Sequence, residues 1–522
     1  MKRRDLLKAG ASALLLGSAC AAPGRQVVRA PPRDDERARR WTRVMTASPG
    51  DLDLEVHESR VDGRIPGALR GARYLLNGPG RLGYGRSLAH PFDGHGYVRA
   101  FQFTRDGGVS LRARFVQTPA FVVEEHAQRL VVPGIGTLPD PGPSLQGAPT
   151  LRNVANTTVL PFGDRLLCGW EGGHPFAVDR ESLHTVGEES FDGALGEGAT
   201  LAHFRVDPVT RRLVTLSLSM GLSTRLVFRE FDDEGRLCTE RATTVDGMSF
   251  VHDFVVTRRW YILARNPLSL DPAAFLRAKL HRGTLLDAIT SDPAQVGGLL
   301  MIPREGAGEV QHRFVSVGGP LYAVHFANAF DDDNGVVVDV CAFPDVTFGT
   351  EFGYRGSTSP LLDPGLSDER QPQRLMRVRV HSSGQADLQQ IARHALDFPR
   401  VDANREGLVA STLFAASRTE EAHCDPFDAL AAVDLIDLER EEELWVPGAE
   451  RYVGEPVFFP AEGAASHQDR RGYVVALVYD GARSSSTLVV LDAQKLGAGP
   501  IASAPLPLLP YGFHGYAETA PS

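Results

Sequence analysis

Sixteen histidines are spread along the chain, and four of them sit in surroundings unlike those of surface residues. His203 lies in ATLAHFRVDPVT, His252 in SFVHDFVVT, His325 in LYAVHFANAF and His514 in YGFHGY. Each has apolar or aromatic neighbours on an apparent strand or strand end. An imidazole buried there needs a partner for its ring nitrogens. Histidine serves as metal ligand, as general base or as hydrogen-bonded structural residue, and taken singly the last is the commonest. The gaps between the four are 49, 73 and 189 residues, far longer than any local metal motif. They suit a fold in which distant segments converge on one axis, although periodicity alone does not single these four out. Lysine is scarce: Lys2, Lys8, Lys279 and Lys495 are the only four, so a Schiff-base or lysine-base mechanism has few candidates.

The elements that must position these residues read as many short strands. From about residue 41 onward, β-branched and aromatic runs alternate with turn clusters. Arg105-Asp106-Gly107-Gly108, Asp232-Asp233-Glu234-Gly235 and Asp333-Asn334-Gly335 are hairpin signals. Leu213–Leu218, Gly335–Val340 and Tyr473–Val478 are typical strands beside such turns. Asp271 to Leu280 is the best helix, with Asp271 as N-cap and Pro272 at the first helical position. An all-β chain of this length must hide many strand edges, which radial repetition of four-stranded blades does well. No strict repeat and no kelch or WD signature is present, so the blades cannot be counted from the sequence.

Composition narrows the partners. Of 522 residues, 43% are hydrophobic and 23% charged, the balance of a folded globular body. A formal charge of -10 argues against nucleic acid as a partner, since that needs a basic face. Five cysteines (Cys20, Cys168, Cys238, Cys341 and Cys424) include no CxxC pair, which excludes the common zinc and redox motifs. The last four are read as buried small hydrophobes and not as two disulfides. The N-terminus, MKRRDLLKAGASALLLGSACAAPG, pairs Arg3 and Arg4 ahead of an apolar run too short to span a bilayer. It resembles a Tat export signal over residues 1–22, implying a periplasmic protein, with Cys20 in a loose lipoprotein box as an alternative lipid anchor. Residues 23–40, rich in Pro, Arg and Ala, read as a linker. Residues 41–522 are then a single domain.

Ordered blocks along that domain carry a resemblance to the carotenoid cleavage oxygenase family. This family includes apocarotenoid oxygenases, lignostilbene dioxygenases and the retinal pigment epithelium isomerase. Asn77-Gly78-Pro79 and His90-Pro91-Phe92-Asp93-Gly94-His95-Gly96 are similar to its N-terminal signature. Asn156-Thr157 and Leu166-Leu167-Cys168-Gly169-Trp170-Glu171-Gly172-Gly173 resemble the next block. Ala202-His203 with Val206-Asp207-Pro208, then His252-Asp253-Phe254, His325 with Asn328-Ala329, and Phe513-His514-Gly515 resemble the four ligand motifs. His95 stands where the family usually has Asp, and Phe204 where Pro is common.

The resemblance implies an all-β, seven-bladed β-propeller with a few helices and loops capping one face. It implies Fe(II) on the axis, held by His203, His252, His325 and His514. Glu171, Asp397 and Glu455 match the glutamates that orient such ligands. Asp397 is one methylene shorter than the usual Glu, so its histidine is expected to be bridged by water or held differently. The implied activity is cleavage of a conjugated C=C bond by O₂ to two carbonyl products, with no catalytic side chain beyond the metal sphere. Trp170 stands where the stilbene-cleaving branch has lysine, which favours an apolar polyene substrate lined by Trp170 over a stilbene or other phenylpropanoid. Ala273-Ala274-Phe275-Leu276 and Leu299-Leu300-Met301-Ile302 are candidates for an apolar rim touching a membrane surface. Isomerisation and a propeller that binds an apolar ligand without catalysis are the competing readings.

Overall fold

The β-branched runs pair into seven sheets, antiparallel except for the outermost strand of one, each presenting an inner strand toward a common centre. The computed structural model describes residues 36–520 apart from 86, 144, 146, 221–222, 248–249, 293, 346–347, 350–351, 355–360, 364–371, 420–426 and 462–469. In chain order the inner strands are Thr158–Phe162 in blade 1, Arg205–Val206 in blade 2 and Phe254–Val256 in blade 3. They continue as Tyr322–Asp332 in blade 4, Ala395–Arg400 in blade 5, Val457–Pro460 in blade 6 and Gly515–Glu518 in blade 7.

Blade 7 closes the ring by joining both ends of the chain. Its C-terminal strand Gly515–Glu518 pairs with Arg73–Leu76, so Gly515 faces Leu76. Another N-terminal segment, Asp62–Gly63, adds an outer edge to blade 6 against Ala502 and Ser503. A closed ring leaves few free edges, which is how so large a β-protein avoids edge-to-edge pairing.

The expected hairpins form at 103–109, 231–237 and 332–335, and the three expected strands run as Leu213–Met220, Gly335–Phe343 and Gly472–Asp480. Helix α3, Pro272–Lys279, is capped by Asp271, whose carboxylate accepts from the amides of Ala273 and Ala274. Two further helices lie outside the strand reading. Helix α1, Glu36–Met45, begins inside the segment read as a linker. It inserts Trp41, Val44 and Met45 into the core, and the Trp41 indole donates to the Phe352 carbonyl at 2.9 Å. Helix α2, Pro119–Ala127, is capped by Thr118. The loop after α2 meets the α3 insertion, where the Leu286 amide donates to the Ile135 carbonyl at 3.0 Å.

Two expectations are corrected. Leu299-Leu300-Met301-Ile302 is no surface rim: all four are 0–1% exposed in the middle of blade 3, paired on both sides. A continuous apolar run marks a strand buried on both faces. Cys168 and Cys341 are buried and free as expected, but Cys238, also free, is exposed. Cys20 and Cys424, with the whole export signal, lie outside the described residues.

Charge also joins neighbouring blades. Arg304, after the third strand of blade 3, contacts Glu230 of blade 2 at 2.6 Å and Asp207 at 2.5 Å. Burial works against ionising Glu230, yet hydrogen bonds from Arg304 and Tyr261 hold its carboxyl below the usual range. Arg304→Met is therefore expected to cost about 2 kcal/mol near neutral pH, because Asp207 loses its counter-charge and buried Glu230 is left with Arg212 alone. A depressed carboxylate stabilises above its unfolded pKa and stops doing so as pH falls through its folded value. The cost should therefore shrink below about pH 4. Urea unfolding at neutral and acid pH checks this; an equal cost at both would show that Arg304 does not act through charge.

Candidate metal centre

Each blade sends one residue to the centre. His203 comes from blade 2, His252 from the entry to blade 3, His325 from blade 4 and His514 from the entry to blade 7. Glu171 comes from blade 1, Asp397 from blade 5 and Glu455 from the entry to blade 6. The ring nitrogens of the four histidines all lie within 4.8 Å of one another. Their rings surround one point without lying at the corners of a flat square. Neighbouring centroids are 4.5 Å apart for His203–His514, 4.8 Å for His203–His252, and 4.9 Å for both His252–His325 and His325–His514. The diagonal His203–His325 is 5.7 Å.

Hydrogen bonding fixes which nitrogen faces the centre. The Nδ1 of His325 is 2.6 Å from Asp397 Oδ1, and that of His514 is 2.9 Å from Glu455 Oε1. His252 Nδ1 lies 2.8 Å from Glu171 Oε1, a contact its N–H meets obliquely. A carboxylate only accepts, so these Nδ1 atoms carry the protons and the Nε2 atoms present lone pairs. The Nε2 atoms of His203 and His252 are 3.2 Å apart, and those of His252 and His325 3.1 Å. Lone pairs facing one another at that range repel unless a cation lies between them. Metal–nitrogen bonds of about 2.1 Å at right angles would set neighbouring nitrogens about 3 Å apart. The four imidazoles thus fit a metal ion, and imidazole suits first-row metals such as iron, copper, nickel and zinc.

The electrostatics favour neutral donors. Burial and then the other three rings hold His203 well below the usual histidine range. Burial takes His514 down to about 4, against the opposing pull of Glu455. His325 differs: burial opposes its protonation, but Asp397 raises it above the usual value.

Local backbone irregularities aim these side chains. The strand carrying His325 shifts register on both sides of it, between Ala323 and His325 and between Phe326 and Asn328. Bulges re-aim side chains in this way. A second shift follows Asp397, and the next residue, Phe398, takes a left-handed conformation with φ of 52°. A bulky residue adopts that conformation only when its surroundings enforce it. The bulge carries the short carboxylate into direct contact with His325, so the expected water bridge between these two groups is not needed. Phe398 then packs against both His325 and His514, at ring separations of 5.2 and 5.3 Å.

Several positioning groups were not singled out from the sequence. Asp253, next to His252, accepts from Arg205 and the Phe254 amide at 2.7 Å and from the Phe326 amide at 2.8 Å. It thereby ties together the backbones beside three of the four histidines. Its place in the His-Asp-Phe block was the available signal. Arg400 contacts Glu455 at 3.0 Å, behind His514. Asn77 receives a hydrogen bond from Phe513 N at its backbone carbonyl and donates its own amide N–H to the His514 carbonyl, at 2.8 and 3.0 Å. The Asn77 side chain donates to the carbonyls of Ala155 and Thr158 at 2.8 and 2.9 Å, and a β-carbon at Gly78 would come within 2.8 Å of the Tyr511 carbonyl, which gives the early Asn-Gly pair its place.

The two departures near the motifs are also placed. His95 is buried and meets Glu124 of α2 at 2.8 Å, while Arg152 holds the other oxygen of Glu124 at 2.5 Å. Phe204 packs among Leu160, Leu167 and Phe231. Trp170 is 1% exposed, with Gly172 pressed so closely on its indole that a β-carbon there would come within 1.9 Å of the ring. A cavity of about 110 Å³ reaches His203 and His514 past Arg205, Arg400, Glu406 and Tyr516.

Asp253→Asn is expected to weaken metal binding about tenfold, the low end for loss of a partner that orients ligands. Competition with a chromogenic chelator measures this, and an unchanged affinity would remove Asp253 from the support of the site.

The model of the retinal pigment epithelial membrane protein family matches residues 48–516. Apocarotenoid-15,15'-oxygenase of Synechocystis is 32% identical over 495 residues, covering 92% of this chain and 96% of the relative. Isoeugenol monooxygenase of Pseudomonas putida is 27% identical, covering 90% and 96%. The solved structure of cobalt-substituted apocarotenoid oxygenase from Synechocystis matches with a TM-score of 0.82 at 28% identity, covering 92% of this chain and 99% of that one. The solved structure shares the seven-bladed architecture, and the chain belongs to the retinal pigment epithelial membrane protein family, the carotenoid cleavage oxygenases.

Proposed function

We propose that this chain is a non-haem iron dioxygenase that cleaves a conjugated double bond of a carotenoid or apocarotenoid. The observation that carries the reading is the convergence of four imidazoles on one point, with the Nε2 atoms of His203, His252 and His325 facing one another. The most similar curated relative described above, an apocarotenoid oxygenase, supports the substrate class. His203, His252, His325 and His514 would hold Fe(II), which when bound supplies the electron density that lets O₂ add to an alkene. The overall change is R–CH=CH–R′ + O₂ → R–CHO + OHC–R′, with both oxygen atoms in the products.

The protein's own share is positional. Glu171, Asp397 and Glu455 keep the Nδ1 protons outward and the donor lone pairs inward. Neutral ligands leave the charge of the ion undiminished. Phe398, against two of the rings, covers that side of the centre with hydrocarbon. No proton transfer is required, and no acid or base is assigned. Trp170 precedes Glu171 where a phenol-activating lysine would stand in a stilbene-cleaving enzyme; the described lysines, Lys279 and Lys495, belong to other parts of the chain. Trp170 is assigned to the substrate wall by its place before Glu171; it is 1% exposed, its indole packed against Gly172.

Two further proposals concern place. The twin-arginine start supports Tat export to the periplasm, with Cys20 as a lipid anchor in the alternative. Peripheral membrane contact would run through α3, where Leu276 and Leu280 are 60% and 57% exposed beside Arg277 and Lys279.

Aerobic incubation of the Fe(II)-loaded protein with apocarotenals and 4-hydroxystilbenes, followed by mass analysis, tests the activity. Two aldehydes from an apocarotenal, each carrying one ¹⁸O from ¹⁸O₂, are expected. Cleavage of the stilbene alone would move the chain to the phenylpropanoid reading. Stoichiometric apocarotenal binding without products would make it a binding propeller. Replacing Arg3 and Arg4 together by lysine is expected to leave the protein in the cytoplasm; unchanged export would exclude the Tat route.

A further inference from the structure

Beside Asp397 the fold holds a cavity of about 20 Å³, walled by Trp41, Phe352, Phe427 and Tyr511, with Gln373 and Arg418 also in its lining. A single water needs about 10–15 Å³ of such space and two to four polar partners, so the cavity has room for one and not two. Gln373 is 2% exposed, and its buried Nε2 has no hydrogen-bond partner among the described residues. An orphaned buried donor of that kind is costly enough that native structures rarely leave one unmet. Asp397 Oδ1 already accepts from His325 and from the Phe398 amide, and a carboxylate has capacity for about four bonds. The Arg418 guanidinium lies 4.8 Å over the Phe427 ring on the same wall. The other described residues of the wall are aromatic.

We propose that this cavity is a binding site for one water, which accepts from Gln373 Nε2 and donates to Asp397. Gln373 is thus a positioning residue for Asp397 and, through it, for His325. The site follows from the aspartate. The bulge at Asp397–Arg400 brings the short carboxylate onto His325, and the space beside that carboxylate is the size of a water. Both hydrogen bonds to this carboxylate among the described residues, from His325 and the Phe398 amide, fall on Oδ1, and the water would restrain the group from another side. The inference rests on the reading of His325 as a metal ligand.

The crystal structure of the metal-loaded protein and the cobalt-substituted Gln373→Met variant test this together. Electron density for one water within hydrogen-bonding distance of both Gln373 Nε2 and Asp397 is expected. Gln373→Met is expected to shift the cobalt ligand-field bands and to lower kcat about tenfold with KM unchanged. A purely structural glutamine would lower Tm and leave the bands in place. A cavity without water density in a metal-loaded crystal, or bands unmoved in a folded variant, would overturn the proposal. If the variant does not fold, the density in the unaltered protein decides alone. Metal analysis keeps the two readings apart: a protein that binds no metal refutes the oxygenase assignment, whereas bound metal with no water refutes only this site.

Discussion

Four imidazole lone pairs turned toward one point are unfavourable without a cation, and the rest of the molecule is arranged to keep them there. No local segment could do this, because the histidines lie in four different blades. The ring supplies rigidity that a loop or a single helix lacks. Three carboxylates from the remaining blades fix the tautomers, so the seven blades divide into four that present donors and three that orient them. The symmetry of the scaffold is thereby turned into an asymmetric division of labour.

The carboxylates differ in how they are themselves held. Glu455 has Arg400 behind it and also receives the Gly515 amide at 2.6 Å, so charge and backbone both restrain it. Burial works against its ionisation, but Arg400 and His514 keep its carboxyl below the usual range. Asp397 has instead a bulge and a left-handed phenylalanine, a backbone solution to a missing methylene. Asp253, whose carboxylate lies 3.7 Å from His203 Nδ1, also ties three ligand-bearing segments to one another through Arg205 and two amides. Residues beside ligands thus carry as much of the geometry as the carboxylates.

Much of this was legible before any coordinates. The four histidines could be chosen because each sits in its own recognisable block, and the long gaps already required a fold that gathers distant strands. The hairpins were visible from Asp and Gly at the turns, and α3 from Asp271 and Pro272. The blade number was not legible, since no repeat survives in the sequence. Helix α1 was hidden by its arginines, although Ala38, Trp41, Val44 and Met45 recur at helical spacing. Leu299–Ile302 looked like a surface rim because a fully buried strand and an exposed apolar patch share one composition. The direct Asp397–His325 contact could not be read, because a bulge and a positive φ leave no mark in the residue types. His95 and Glu124 meet only through tertiary packing, so their pairing was equally silent.

The central claim is that one metal ion is bound by four imidazole nitrogens at the axis. X-ray absorption at the iron K-edge of the anaerobic Fe(II) protein tests it most directly. The account predicts one iron per chain with nitrogen scatterers at about 2.1 Å and the outer-shell pattern of four histidine rings. A spectrum dominated by carboxylate or thiolate ligands, or an iron content near zero after reconstitution, would contradict it.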